Sequence, residues 1–289
     1  MQISETAKNM RELSAVEFRT LADYAHNLCG IRLDDSKKYL VESRLLGLLR
    51  ETGCVSYGDL YLKAKSDRSL VLPQKIVEAL TTRETMFFRD PAIFESLEKA
   101  IIPEIIERKR SAASKCLKSH IRILCAGCST GQEVYSIAML MREILGSRSD
   151  FAIRILGLDI SEDALAYARQ GIYSESEVRR GLPIDKLDNH FTKCSTGWKV
   201  RDELREWVTF QRINLMLPFD DFGRFDIVLC RNTAVYFAEG DRAKLFQRIA
   251  TILDREGCLL VGSTESISDM CSMYDIKRCH RVTYYQLKK

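Results

Sequence analysis

The sequence predicts an α/β protein: a parallel sheet covered on both faces, preceded by a small all-helical domain. Two observations carry this. Residues up to about 78 repeat their apolar side chains three and four apart, the spacing of helices with one buried face. From 121 onward, strand-like runs alternate with helical patterns, which indicates a parallel sheet with helices packed on it.

Phe18, Leu21, Ala22, Tyr24, Ala25 and Leu28 give the first helix, ending near Cys29-Gly30. Asp34-Asp35-Ser36 supplies N-cap chemistry for a second helix running through Arg50. Its apolar stripe is Leu40, Val41, Leu45, Leu48 and Leu49, and Gly53 is its expected stop. Further helices are expected over 56–66 and 72–80. Strands are expected at 121–126, 153–158, 208–213, 225–230, 257–262 and 281–287, with helices at 132–145, 162–170 and 240–253. The polar stretch 171–207 reads as an insertion rather than a crossover.

Composition removes several function classes. A net charge of +4, from 44 basic and 40 acidic residues, is too balanced for a nucleic-acid partner. No apolar run approaches the roughly 18 residues of a membrane span. The polar start, MQISETAKNMRELS, lacks the apolar core of a signal peptide. A cytoplasmic protein with no membrane insertion is expected. The ten cysteines are scattered, and several sit in apolar runs. Small buried hydrophobes in a reducing compartment are expected of them, not disulfides.

The chemistry concentrates where strand 121–126 runs into Gly127-Cys-Ser-Thr-Gly131 and a helix follows at once. This arrangement brings a backbone turn against a cofactor. The loop has neither a full G-x-G-x-x-G nor the Gly-Lys-Ser/Thr of a triphosphate loop, which argues against nicotinamide dehydrogenases and nucleoside triphosphatases. Asp159 ends the next strand, where a carboxylate accepts from ribose hydroxyls or caps the helix beginning at 162. Glu133 opens the helix after the loop, either facing the same crevice or stabilised by the helix dipole. Cys125-x-x-Cys128 has redox or zinc spacing, but no second pair follows and the four histidines are dispersed.

Six stretches, in order, resemble the chemotaxis receptor methyltransferases, the CheR family. They are TTRETMFFRDPAIFESL (81–97), AGCSTGQEVYSIAM (126–139), LDISEDALAYARQGIY (158–173), INLMLPF (213–219), FDIVLCRNTAVYF (225–237) and GSTES (262–266). GIRLDDSKKYLVESRLLGLLRETG near the start is similar too, so the resemblance spans roughly residues 15–287. It implies a class I S-adenosylmethionine-dependent methyltransferase: a Rossmann-like, mostly parallel sheet with one antiparallel strand. It further implies a helical N-terminal domain (1–78), a linker closing the cofactor site (79–91) and a catalytic domain (92–289) with a small β subdomain inserted at about 188–212. The implied activity is transfer of a methyl group to glutamate side chains on cytoplasmic helices of chemoreceptors. S-adenosylhomocysteine is the product, and the enzyme is a single chain without a metal.

Carried over residue by residue, Arg83, Thr85 and Arg89 fall at linker positions beside the cofactor. Gly127, Glu133 and Asp159 fall at the cofactor cradle, Asn214 and Leu215 beside the adenine, and Arg231 and Asn232 in the segment after the next strand. Arg89 and Tyr236 are the expected catalytic residues, an orienting cation and a wall or hydrogen-bond donor. Their plainer readings are a surface ion pair of Arg89 with Asp90 or Glu95, and a half-buried aromatic at the sheet edge. From the residues themselves, Lys37, Lys38, Arg44 and Arg50 make a basic helix face that suits an acidic receptor helix, or a solvated face paired with Glu42 and Glu51.

The inserted segment is compact, without the longer glycine-bearing loop of relatives that bind a receptor C-terminal pentapeptide, so pentapeptide-independent action is expected. The chain departs from the family pattern at Arg83 (usually Asn), Gln132 and Val134 (Glu and Pro), Thr233-Ala234, 254–257 and Ser263-Thr264. These departures leave a non-catalytic regulatory relative as the alternative.

Overall fold

The structure, a computed structural model, describes residues 12–112, 119–146, 150–218 and 220–288. Phe219, the last residue of the INLMLPF stretch, and the first eleven residues of the expected helical domain lie outside them. The chain forms two units. One runs to Thr82 and takes in 236–238; the other holds 83–235 and the remainder from Glu239.

The first unit consists of α1 (Ala15–Cys29), α2 (Lys38–Thr52), α3 (Tyr57–Ser66) and α4 (Val71–Leu80). α1 begins with a reciprocal cap: the Ser14 hydroxyl accepts from the Glu17 N–H, and the Glu17 carboxylate accepts from the Ser14 N–H. Phe18, Leu21, Val41, Leu45, Leu60 and Ile76 form the core between the helices. Asp34 does cap, but it caps a short 3-10 turn, Asp35–Lys37, and the α-helix starts only at Lys38. The Arg44 guanidinium donates to the carbonyls of Leu80 and Thr81 at 2.8 and 2.9 Å. It thereby satisfies acceptors that the end of α4 leaves open. Residues 236–238 join this unit through the Arg32 N–H on the Tyr236 carbonyl (2.7 Å) and a bridge between Ile31 and Phe237.

The second unit opens with a helix to which the sequence reading gave no element. α5 (Pro91–Ser96) passes through a π turn, Leu97–Ile101, into α6 (Ile102–Ala112). Ile93, Phe94, Leu97, Ile101, Ile105 and Ile106 are buried along it. Then come β1 (Ser119–Ala126), α7 (Gln132–Leu145), β2 (Phe151–Asp159) and α8 (Glu162–Gln170), and after an insertion β6 (Val208–Arg212) and β7 (Phe225–Cys230). α12 (Glu239–Ile252), β8 (Leu253–Val261), β9 (Tyr274–Cys279) and β10 (Val282–Leu287) complete it.

The sheet order is β6-β2-β1-β7-β8-β10-β9. β1, β2, β6, β7 and β8 pair in parallel, while β10 runs antiparallel to both its neighbours, the one reversed strand. Every residue of β7 is buried, as both faces being covered requires. Chain order leaves β1 toward β2 and β6 on one side and returns to β7 and β8 on the other. The carboxyl ends of β1 and β7 therefore flank the topological switch point, where open α/β sheets bind ligands. β9 went unread in the sequence because it is an edge strand, with only Tyr274 buried along it and no alternation.

The insertion holds β3 (Ile172–Tyr173), α9 (Glu175–Arg179), α10 (Ile184–His190), β4 (Phe191–Cys194), β5 (Gly197–Val200) and α11 (Asp202–Arg205), with its own sheet in the order β3-β5-β4. It fills the stretch 171–207 read as an insertion, and so starts before the subdomain bound near 188 that the resemblance implies. Residues 208–212 lie in the main sheet, beside β2, because Phe210 packs over Gly157, where a Cβ would come within 2.7 Å of its ring. Of the expected linker 79–91, Ala79 and Leu80 end α4, and 83–91 belong to the second unit.

One glycine fixes the turn after β1. Gly127 has φ +83, and a Cβ there would meet the Thr233 hydroxyl at 2.1 Å. Gly53 has φ +69 with open space around it. Gly53→Ala should therefore cost about 1 kcal/mol, and Gly127→Ala about 2–4 kcal/mol, because overpacking adds to the backbone term. Urea midpoints of the two variants measure the difference.

Candidate active site

The carboxyl ends of β2, β1, β7 and β8, four neighbours in the sheet, bring most of the expected residues of the second unit together. After β1 the chain turns through Gly127 to Gly131. The N–H groups of Gly127 and Cys128 both donate to the Leu158 carbonyl, at 2.7 and 2.9 Å, so the loop is stitched to the end of β2. Ser129 takes φ +50, which aims its N–H at Asp159 Oδ2, 2.7 Å away. Asp159 Oδ1 accepts from the Ser161 N–H at 3.0 Å. Ser161, not Asp159, caps α8, its hydroxyl accepting from the Ala164 N–H. Burial pushes the Asp159 carboxyl above its ordinary value, against the pull of the backbone N–H groups of Ser161, Ser129 and Ile160. A carboxylate has about four acceptor directions, so this one, with three backbone N–H groups on it, keeps capacity for a further donor such as a ribose hydroxyl.

Glu133 and Arg231 form the centre. Arg231 follows β7, and its side chain is 1% exposed. One arm of the guanidinium donates to Glu133 Oε2 at 2.7 Å. The other donates to Asp90 Oδ2 at 2.8 Å and to the Arg89 carbonyl at 2.6 Å. Its guanidinium carbon lies over the Phe94 ring, 5.7 Å from the centroid. Glu133 is therefore not a solvated dipole acid, for it is 13% exposed and held by a cation. Burial raises its carboxyl, while Arg231 opposes the rise.

The residues of 83–90 take distinct places. The Arg83 carbonyl accepts from the Ser129 hydroxyl at 3.1 Å, so this segment starts against the glycine loop. The Arg83 guanidinium turns outward to Asp163 in α8, at 3.1 Å. Thr85 is half-buried. Arg89 does not make the surface ion pair it was weighed against: Asp90 faces Arg231, and Glu95 pairs with Lys99 at 2.6 Å. The Arg89 guanidinium makes one long bond, 3.4 Å, to the Glu84 carbonyl.

On the far side, Asn214 follows β6, and its Oδ1 accepts from the Met216 N–H at 3.0 Å, which shapes that turn. Leu215 is buried, and its carbonyl accepts from Arg248 at 2.7 Å. Asn232 has φ +54, and its N–H donates to Glu265 Oε2 at 2.7 Å, an oxygen that also accepts from the Gly262 N–H at 2.7 Å. Glu265 thus ties the ends of β7 and β8 together. Sequence reasoning passed over it and Ser129. The signal was present in GSTES and in the residue between two glycines, but no spacing rule assigns them a partner.

Tyr236 is 39% exposed and belongs to the helical unit, as do the four basic residues. Lys37 and Arg50 are exposed and Lys38 half-exposed. Arg44 is part-buried on the end of α4, so the face expected from four cations presents three.

Cys125 in β1 and Cys128 in the loop are buried, and burial raises both thiols far above their ordinary range. Thiols so placed are inert packing groups. Among the described residues no group of three or more His, Cys, Asp or Glu side chains is placed to hold a metal, and no helix is long and apolar enough to cross a membrane. The departures have local partners. Val134 is core, Thr233 packs on Gly127, and Gln132 is buried between the Thr130 hydroxyl (2.8 Å) and Glu177 (3.5 Å).

Backbone turn, ribose-type carboxylate and buried ion pair at a switch point suit an adenosine-bearing cofactor. Comparison with known proteins agrees. Residues 83–282 match the family model "CheR methyltransferase, SAM binding domain", and residues 16–81 match "CheR methyltransferase, all-alpha domain". Chemotaxis protein methyltransferase 1 of Vibrio cholerae is 34% identical over 279 residues, covering 96% of this chain and 98% of its own. Chemotaxis protein methyltransferase 1 of Pseudomonas aeruginosa is 32% identical over 277 residues (94% and 98%), and that of Borreliella burgdorferi 32% over 255 (87% and 88%). A helical unit and a catalytic unit, each matched in place and along nearly the whole chain, make this chain a member of the CheR methyltransferase family, with S-adenosylmethionine as its cofactor.

Proposed function

We propose that the protein transfers the methyl group of S-adenosylmethionine to glutamate side chains on the cytoplasmic helices of chemoreceptors, giving methyl esters. The observation that carries this is the near-full-length match to chemotaxis protein methyltransferases, joined to a site whose carboxylates and glycine turn are in place.

Glutamate is ionised at neutral pH, its reference pKa being about 4.3, so the nucleophile needs no general base. What the chain must do is align the carboxylate oxygen with the methyl group and strip water from it. Asp159 would hold the ribose hydroxyls, with Asn214 and Leu215 beside the base. Arg231, held by Glu133, Asp90 and the Arg89 carbonyl, contributes through the groups it orients. Arg89, with one weak tether, is the cation that turns the incoming carboxylate, and Tyr236 is a donor or wall for it. Receptor docking falls to Lys37, Lys38 and Arg50. The protein acts as a monomer in the cytoplasm. The β4–β5 hairpin pairs Cys194 with Gly197 and leaves only Ser195 and Thr196 as its loop, which supports action without a receptor pentapeptide.

Incubation with methyl-labelled cofactor and receptor-containing membranes should yield base-labile label released as methanol. Arg89→Ala and Tyr236→Phe should lower turnover more than affinity for S-adenosylhomocysteine. Binding of that product by the wild-type protein without any transfer would favour a regulatory relative instead.

Reversing charge at Lys37 and Lys38 should raise the receptor KM several-fold at low salt and less at high salt. Arg44→Ala should instead cost about 1–3 kcal/mol of stability, read by urea denaturation, since it strands carbonyls at the end of α4. A peptide ending in the receptor pentapeptide should show no micromolar binding by calorimetry.

A further inference from the structure

We propose that Asp90 is a positioning residue for methyl transfer: through the buried Arg231 it fixes the backbone of Arg89, and so the direction in which the Arg89 guanidinium leaves it. This rests on the reading of Arg89 as the cation that orients the incoming carboxylate.

Asp90 occupies the N-cap position of α5. An aspartate there ordinarily accepts from N–H groups of the first turn, which stabilises the helix. Asp90 makes no such bond. Its carboxylate faces Arg231 Nη2 at 2.8 Å, and the same nitrogen donates to the Arg89 carbonyl at 2.6 Å. One nitrogen thus holds both the Asp90 side chain and the peptide oxygen that joins Arg89 to Asp90. The other arm of Arg231 is anchored on Glu133, in the first turn after the glycine loop. The backbone of Arg89 is thereby referenced to the cofactor loop.

The conformation points the same way. Asp90 has φ +60 and ψ 74 directly before Pro91, where extended backbone is preferred. Phe88, on the other side of Arg89, has φ +49. Two left-handed non-glycine residues flank one arginine, and such backbone persists only where its surroundings over-determine it. Here the surroundings are the Arg231 pairing at Asp90 and the Phe88 N–H on the Ser136 hydroxyl, at 3.0 Å. A helix cap is given up and two unfavourable dihedrals are kept, with the placement of Arg89 as the common result.

Asp90→Gly, Asp90→Asn and Arg89→Ala test this in the full chain. Receptor-containing membranes and methyl-labelled cofactor give kcat and KM, calorimetry gives S-adenosylhomocysteine affinity, and melting gives Tm. Glycine suits a positive φ but has no carboxylate; asparagine tolerates the φ and keeps an acceptor oxygen. Asp90→Gly should melt lower, because Arg231 loses a partner, and, assayed well below that Tm, should lose about tenfold in kcat, as misplaced catalytic groups do. Its product affinity should stay within about twofold of wild type. Asp90→Asn should recover most of the lost turnover. Wild-type kcat in Asp90→Gly beside a crippled Arg89→Ala overturns the positioning role alone. So does a loss of product affinity that matches the loss of kcat, or an asparagine variant as impaired as the glycine one. Undiminished turnover in Arg89→Ala overturns the reading of Arg89 and this inference with it.

Discussion

A guanidinium that is 1% exposed has left the water that solvated it, and only close, well-aimed anions make up that loss. Arg231 has two, Glu133 and Asp90, plus the Arg89 carbonyl and the face of Phe94. Its Nε remains without a partner among the described residues, so the arrangement is not one of maximum stability. Removing one member of such a group costs about 3–5 kcal/mol, because the others are left as uncompensated buried charges. The requirement works in every direction at once. It sets the rotamer of Glu133 at the start of α7, the path of the chain from Phe88 into α5, and the exit of the chain from β7. Three segments far apart in sequence are registered against each other by one side chain.

The rest of the site is built outward from that registration. The glycine turn after β1 is fastened to the end of β2 through the Leu158 carbonyl, and Asp159 to the turn through the Ser129 N–H. On the other side Glu265 closes the ends of β7 and β8 over Asn232. Backbone N–H groups thus orient the two carboxylates at the flanks, Asp159 and Glu265, and a guanidinium orients the central one. Carboxylates fixed in this way are pre-oriented for a ligand and lose little freedom when it binds. The helical unit shows the same division of labour: Arg44 is structural because it answers open carbonyls, while Lys37 and Arg50 are exposed.

The helices of the first unit and the parallel strands could be read directly, since each is encoded by local periodicity. The glycine turn at Gly127 and the carboxylates of Asp159 and Glu133 were legible because they sit at fixed offsets from strand ends. What could not be read was pairing over distance. Asp90 looks like a surface partner for Arg89, and becomes a partner for Arg231, 141 residues away. Arg44 looks like part of a charged face, and becomes a clamp on carbonyls 36 and 37 residues on. The strand at 208–212 could be read as a strand, but only its pairing with β2 makes it the edge of the main sheet.

Local spacing encodes the helices of the first unit, the parallel strands, the order of the two units and the residue types at the strand ends, because those follow from residues a few positions apart. The tertiary structure alone decided which charges face one another. A carboxylate or guanidinium reports its type in the sequence, but its partner depends on which strand ends the sheet brings side by side and on how completely water is excluded between them. Arg231 is the clearest case. Nothing around Cys230-Arg-Asn232 announces that this arginine is buried, and its burial is what makes Glu133 and Asp90 parts of one site.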